Sequence, residues 1–217
     1  MMEQAANNQV SMAPMSPHAI GEQARVLGKI AYPTVNLSLW RRPAQAAIVG
    51  EVSKLQASQL RDVRRPTTIR TFDHDVSVLL RQQGLDPSVF ENWRADLRRL
   101  ANLFAGVSEG RNLQFRLLTT DRDDCRRFHL DRTHLRLLCT YRGPGTEWLT
   151  DSQVDREAQA RGAPNESIIR FGQASRFEPF WVGIMRGDPG NIGNGLVHRS
   201  PPITGSGEIR VLFCLDC

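Results

Sequence analysis

The feature that most constrains this chain is a change of texture at Gly110. Beyond it, short β-prone runs separated by Gly, Pro, Asp and Asn follow one another to the last residue. Such a pattern specifies paired strands rather than the regular βα alternation of a parallel sheet. Strands are expected over 113–119, 126–130, 135–141, 147–149, 167–171, 180–185, 195–197 and 208–215.

Ahead of Gly110 the apolar period is helical. Ile48, Val49, Val52, Leu55, Leu60 and Val63 predict an amphipathic helix over 47–63 that ends near Pro66. A second is expected over 76–83, capped by Asp75 and stopped by Gly84. A third opens at Pro87, with Ser88 and Glu91 at capping-box spacing; its stripe of Phe90, Trp93, Leu97, Leu100 and Phe104 reads as core packing. Residues 1–20 lack periodicity and read as a poorly ordered terminus in which His18 is inert. The expected fold is therefore α+β: a single domain over 21–217, with a helical cap at about 45–105 covering a double-sheet jelly roll at 110–217. This is the double-stranded β-helix of cupin-like proteins.

A length of 217 residues with 40% hydrophobic and 24% charged residues suits one packed domain. No apolar run of membrane-spanning length and no secretory leader is evident, so a cytoplasmic location is the default expectation. The four cysteines then read as reduced thiols or metal ligands. Cys214 and Cys217 would face opposite ways in one strand, which argues against a shared ion. The stretches GRNLQF and GDPGNIGNG match neither a P-loop nor the dinucleotide-binding glycine pattern. The net charge of +5 rests almost wholly on arginine, since Lys29 and Lys54 are the only lysines. Arg61, Arg64, Arg65 and Arg70 cluster, but no recognition motif accompanies them, so a solvated face is favoured over a nucleic-acid partner.

Chemistry concentrates in RRFHLDRTHLRLLCTY. His129 and Asp131, two apart, would share one face of a strand. With a distant histidine, His198, they make the two-histidine, one-carboxylate set that holds a metal while leaving coordination positions open. The competing reading is a surface hydrogen-bonded pair on an edge strand. His134 lies at an odd offset from His129 and is expected in a turn or behind the ligands. His74, between Asp73 and Asp75, reads as part of a helix start rather than a metal cluster. Trp148 and Trp181 are candidates for the pocket wall or for packing.

His129-x-Asp131, distal His198 and then Arg210 twelve residues later resemble the Fe(II)/2-oxoglutarate-dependent dioxygenases. The resemblance implies that His129, Asp131 and His198 bind Fe(II), that Arg210 anchors the far carboxylate of 2-oxoglutarate, and that Tyr141 touches the co-substrate. Leu212 departs from the pattern, since many members carry serine two residues after the arginine. From about Leu39 onward the chain also resembles an uncharacterised bacterial domain family often encoded beside zinc-handling GTPases. That likeness implies an alternative, a non-catalytic zinc-binding protein in zinc homeostasis. The substrate, small molecule or protein, has no spacing signature.

Overall fold

Every side chain of the segment RVLFCLD near the C-terminus is buried. A strand covered on both faces needs a layer of structure on each side. The structure, a computed structural model, describes residues 16–190 and 192–217. In chain order the elements are β1 (His18–Gly21), β2 (Leu37–Trp40), α1 (Ala46–Val52), β3 (Arg65–Thr67), α2 (Phe72–Gln82), α3 (Glu91–Ala105), β4 (Leu113–Thr120) and β5 (Leu135–Arg142). Then come β6 (Glu147–Trp148), α4 (Arg156–Ala160), α5 (Asn165–Ile168), β7 (Ser175–Arg176), β8 (Val182–Arg186), β9 (His198–Arg199) and β10 (Arg210–Asp216).

The architecture is mixed α/β around one large sheet, in the order β1-β2-β8-β5-β10-β4-β3, with a small sheet β7-β6-β9 beside it. All neighbours in the large sheet are antiparallel except β1 and β2. Alternation divides each central strand. Val211, Phe213 and Leu215 of β10 join Leu135, Leu137, Cys139 and Tyr141 of β5 in a cluster with Ile48, Phe72, Trp93 and Phe104 from the helices. Leu212 and Cys214 face the other way, toward Leu138, Met185, Trp148 and Phe177. The small sheet thus packs on the face opposite the helices, and its outer side is covered by Val154, Ala158 and Ile168. A side chain at position 183 would collide with the Phe177 ring, so Gly183 is where the two sheets approach closely.

Several expectations are corrected. Helix α1 stops at Val52 because the chain turns to bond β4: Ser58 N donates to Thr119 O at 2.9 Å and Thr119 N to Leu60 O at 3.0 Å. Leu55 and Leu60 remain buried without being helical. Helix α2 begins three residues before Asp75, whose carboxylate accepts from Thr67 Oγ1 at 2.8 Å instead of capping. Asp86, not Ser88, supplies the cap before α3, accepting from Ser88 N. The stripe from Phe90 to Phe104 is fully buried, as expected.

Residues 1–15 of the expected disordered terminus lie outside the described residues; 18–21 form β1, and His18 packs on Trp148 at 4.9 Å. With β2 and β3, that strand makes the sheet draw on both halves of the chain, so the boundary at 105–110 does not separate cap from sheet. The expected strand over 126–130 reduces to one bridge between His129 and His198, and 167–171 gives way to α5 and a bridge at Ile169. Among the described residues no helix is long and apolar enough to cross a membrane.

The helix-side core contains a buried ion pair. Arg42 donates twice to Asp96 at 2.6 Å and once to Phe180 O at 2.8 Å, while Tyr141 donates to Asp96 at 2.6 Å. Asp96→Ala would leave a guanidinium buried without its carboxylate. Urea unfolding should show a loss of about 3–5 kcal/mol; a loss within about 1 kcal/mol would make the pair no stronger than a surface one.

Candidate metal centre

His129 and His198 are brought together by their own backbones. His129 N donates to His198 O at 2.9 Å and His198 N to His129 O at 3.1 Å, a pairing that sets the rings 4.7 Å apart. Each ring is turned by the carbonyl two residues earlier: Nδ1 of His129 lies 2.9 Å from Arg127 O, and Nδ1 of His198 lies 3.1 Å from Leu196 O. A carbonyl only accepts, so Nδ1 carries the proton and Nε2 presents its lone pair, the tautomer a metal ligand needs. Burial drives the His198 pKa down to about 4, which keeps that ring neutral.

Asp131 lies between them, its Oδ1 3.8 Å from Nε2 of His129 and its Oδ2 3.4 Å from Nε2 of His198. One ligand atom from each residue falls within 4.8 Å of the others. Oδ1 accepts from Arg136 at 2.7 Å, whereas Oδ2 is buried with no hydrogen-bond partner. A buried carboxylate oxygen left unpaired is costly unless a cation meets it. Two free Nε2 atoms and one orphaned oxygen fit a divalent metal. Burial pushes the Asp131 carboxyl up, but His198, Arg136 and His129 outweigh it and hold it below the usual carboxylate value.

The geometry of Asp131 depends on two further residues. Arg136 also grips Asp216 of β10 through Nε and Nη2, at 2.6 and 2.9 Å. Gly187 passes directly beneath the loop, where a Cβ would collide with Thr133 O and lie 2.9 Å from Asp131 O. Asp188 N then donates to Asp131 O at 2.7 Å.

The triad opens on a cleft of about 420 Å³ between the two sheets, within the usual range for small-molecule sites. Arg210 lies in its floor, 2% exposed. Nη2 donates to Thr146 Oγ1 at 2.8 Å and Nη1 reaches Ser200 Oγ at 3.4 Å, but Nε is buried without a partner. No carboxylate pairs with this guanidinium among the described residues. Burial lowers its pKa to about 10.

His129, Asp131, His198 and Arg210 therefore share one cleft, and Tyr141 does not join them. Its ring packs against Trp93 and Phe180 on the helix side and its hydroxyl binds Asp96. The even offset from Asp131 does not place Tyr141 on the metal side, because the loop at 131–134 breaks the strand and resets the alternation. His134 lies in that loop, its N–H bonded to Cys217 O. Cys214 and Cys217 belong to opposite faces. Trp148 is packed in the intersheet core, with Trp181 against it. Sequence reasoning missed Arg136, Thr146 and Ser200; of these, only Arg136 carries a signal, its shared parity with Leu138 and Thr140 along β5.

Two outcomes are expected. Arg136→Met frees the Asp131 carboxylate, and cobalt(II) titration should show affinity about 10–100-fold weaker with the fold retained. In the metal-free protein the unfolded chain protonates His198 below about 6.5 while the folded chain waits until about 4. Stability should therefore fall as pH drops through that window, by up to about 1.4 kcal/mol per pH unit, and His198→Gln should flatten the slope in urea titrations.

The solved structure of dioxygenase for auxin oxidation 1 from Arabidopsis thaliana, a binary complex with 2-oxoglutarate, superposes with TM-score 0.51 at 14% identity, covering 93% of this chain and 92% of that one. At that identity the likeness establishes the fold alone. A Pseudomonas putida prolyl-4-hydroxylase aligns more loosely, with TM-score 0.37 at 12% identity, over 81% of this chain and 95% of that one. No curated protein matches the sequence. Residues 21–216 match the family model described as "Protein of unknown function (DUF1826)", and the chain belongs to that family.

Proposed function

We propose that the protein is an Fe(II)- and 2-oxoglutarate-dependent oxygenase that hydroxylates a small-molecule or protein substrate. One observation carries the reading: an open His-Asp-His triad shares its cleft with a buried arginine that has no carboxylate partner. A guanidinium in that state is matched by the distal carboxylate of a dicarboxylic co-substrate. The fold likeness to a dioxygenase solved with 2-oxoglutarate supports the same assignment. In this reading the large and small sheets are the two sheets of a double-stranded β-helix, with α1, α2 and α3 as its cover.

Bound at the triad, Fe(II) supplies the coupling of 2-oxo acid decarboxylation by dioxygen to insertion of oxygen into a substrate C–H bond. The chain's own residues set the conditions. His129 and His198 offer neutral Nε2 atoms, and Asp131 contributes the single compensating charge. Arg210 orients the co-substrate, and Leu138 and Leu212 on the cleft wall exclude water beside it. The hydroxyls near the anchor come from Thr146 and Ser200, which explains how Leu212 can stand where many dioxygenases carry serine.

The zinc-binding alternative is less well matched. Structural zinc sites close with four protein ligands, and the cluster found among the described residues has three and faces a cleft. Anaerobic addition of Fe(II) and 2-oxoglutarate should produce the weak visible band of the chelate, and oxygen should then yield succinate. Arg210→Ala should weaken 2-oxoglutarate binding about 10–100-fold, as expected for a lost charge-assisted pair, without altering Fe(II) affinity. Tight zinc binding with neither band nor succinate would instead select the non-catalytic reading.

A further inference from the structure

Six arginines line the cleft, and sorting them by partner leaves a remainder. Arg136 is held by Asp131 and Asp216, Arg199 by Glu147, and Arg116 by both oxygens of Asp62. Arg210 is the buried anchor discussed above. Arg64 and Arg132 remain. Arg64, with its side chain 52% exposed, comes only within 3.9 Å of Asp216, whose oxygens Arg136 already occupies. Arg132 is exposed and forms no ion pair or side-chain hydrogen bond among the described residues. The two come from distant parts of the chain, just before β3 and directly after the ligand Asp131. Both line the metal cleft and also an adjoining recess of about 360 Å³, the cleft together with Asp124 and Asp131 and the recess together with Asp216.

Two guanidinium groups that line the same two spaces, neither held by a close carboxylate bond, leave those spaces suited to an anion, and guanidinium forks match oxyanions best. Of the two charges on a 2-oxo diacid, one is met by the metal and the other by Arg210. Neither is left for the mouth. We infer that the primary substrate is a small molecule carrying a carboxylate or phosphate, which Arg64 and Arg132 clamp at the mouth of the cleft. The inference rests on the oxygenase reading for the word substrate, while the anion site itself stands on the two arginines. Arg132 follows Asp131 in sequence, so the clamped group lies within a side-chain length or two of the metal ligands. A compact acid is thereby favoured over a long polymer.

The test uses the full chain, uniformly labelled with nitrogen-15 and without added metal, at ionic strength held constant with sodium chloride. Inorganic phosphate and acetate are titrated separately while the arginine Nε–H signals are followed. Saturable shifts at Arg64 and Arg132 together are expected, with the tighter of the two anions identifying the group. In Arg64→Gln/Arg132→Gln, whose changes lie at exposed side chains, binding at the mouth should weaken at least tenfold. Shifts that rise linearly without saturation, or an unchanged affinity in the double variant, would overturn the clamp. A thymidine oligonucleotide that binds far more tightly than phosphate through the same two residues would overturn the small-molecule assignment. In a parallel sample with zinc(II) added as a diamagnetic occupant of the triad, the Arg210 signal separates the two levels of inference: if it ignores 2-oxoglutarate while the mouth still binds phosphate, the co-substrate reading fails and the anion site survives. The reverse result removes the clamp alone.

Discussion

The buried run Asp131–Arg136–Asp216 ties the loop that carries the candidate ligand Asp131 to the two central strands, and the geometry of the triad depends on it. Each carboxylate would be costly alone, because burial without a partner forfeits hydration that little else replaces. Arg136 offsets both at once, with the paired donors of its fork on Asp216 and the third nitrogen on Asp131. The fork leaves one Asp131 oxygen, Oδ2, without a hydrogen bond and 3.4 Å from Nε2 of His198.

The same logic applies at the floor of the cleft. Arg210 is as deeply buried as the core phenylalanines yet has only hydroxyl partners. The Arg42–Asp96 pair on the helix side of the same sheet shows what a completed arrangement looks like: two short bonds to a carboxylate, a third to a carbonyl, and a tyrosine closing the second oxygen. The contrast between two buried arginines in one domain separates structure from site. One has its carboxylate within the protein, and the other has no carboxylate partner among the described residues.

Alternation in the central strands partitions these two environments. Odd positions of β5 and β10 supply the helix-facing core, while even positions supply Arg136, Leu138, Arg210, Leu212 and Asp216. β-prone runs of strand length separated by Gly, Pro, Asp and Asn are easy to recognise, so β4, β5, β8 and β10 are legible to within about two residues. The short pieces are not. His129 and His198 sit in a bridge too brief to leave a period, and β1, β2 and β3 are specified by pairing with distant strands. Arg136 escaped notice because its parity along β5 gives the face it shares but not Asp131 and Asp216, the partners that give it a role.

By itself the sequence pointed to the His129, Asp131 and His198 candidates, the helical stripe from Phe90 to Phe104 and the strand-rich character after Gly110, because residue type and local period carry those signals. Only the tertiary structure decided which residues meet. It sent Tyr141, which the resemblance placed at the co-substrate, to Asp96 in the core, on the helix-facing side of β5. It made Arg136 the support of Asp131, left Arg210 without a counter-charge, and set Arg64 beside the same cleft as Arg132 across a long stretch of chain. Those outcomes depend on register and on the distribution of buried charge, which no local pattern encodes.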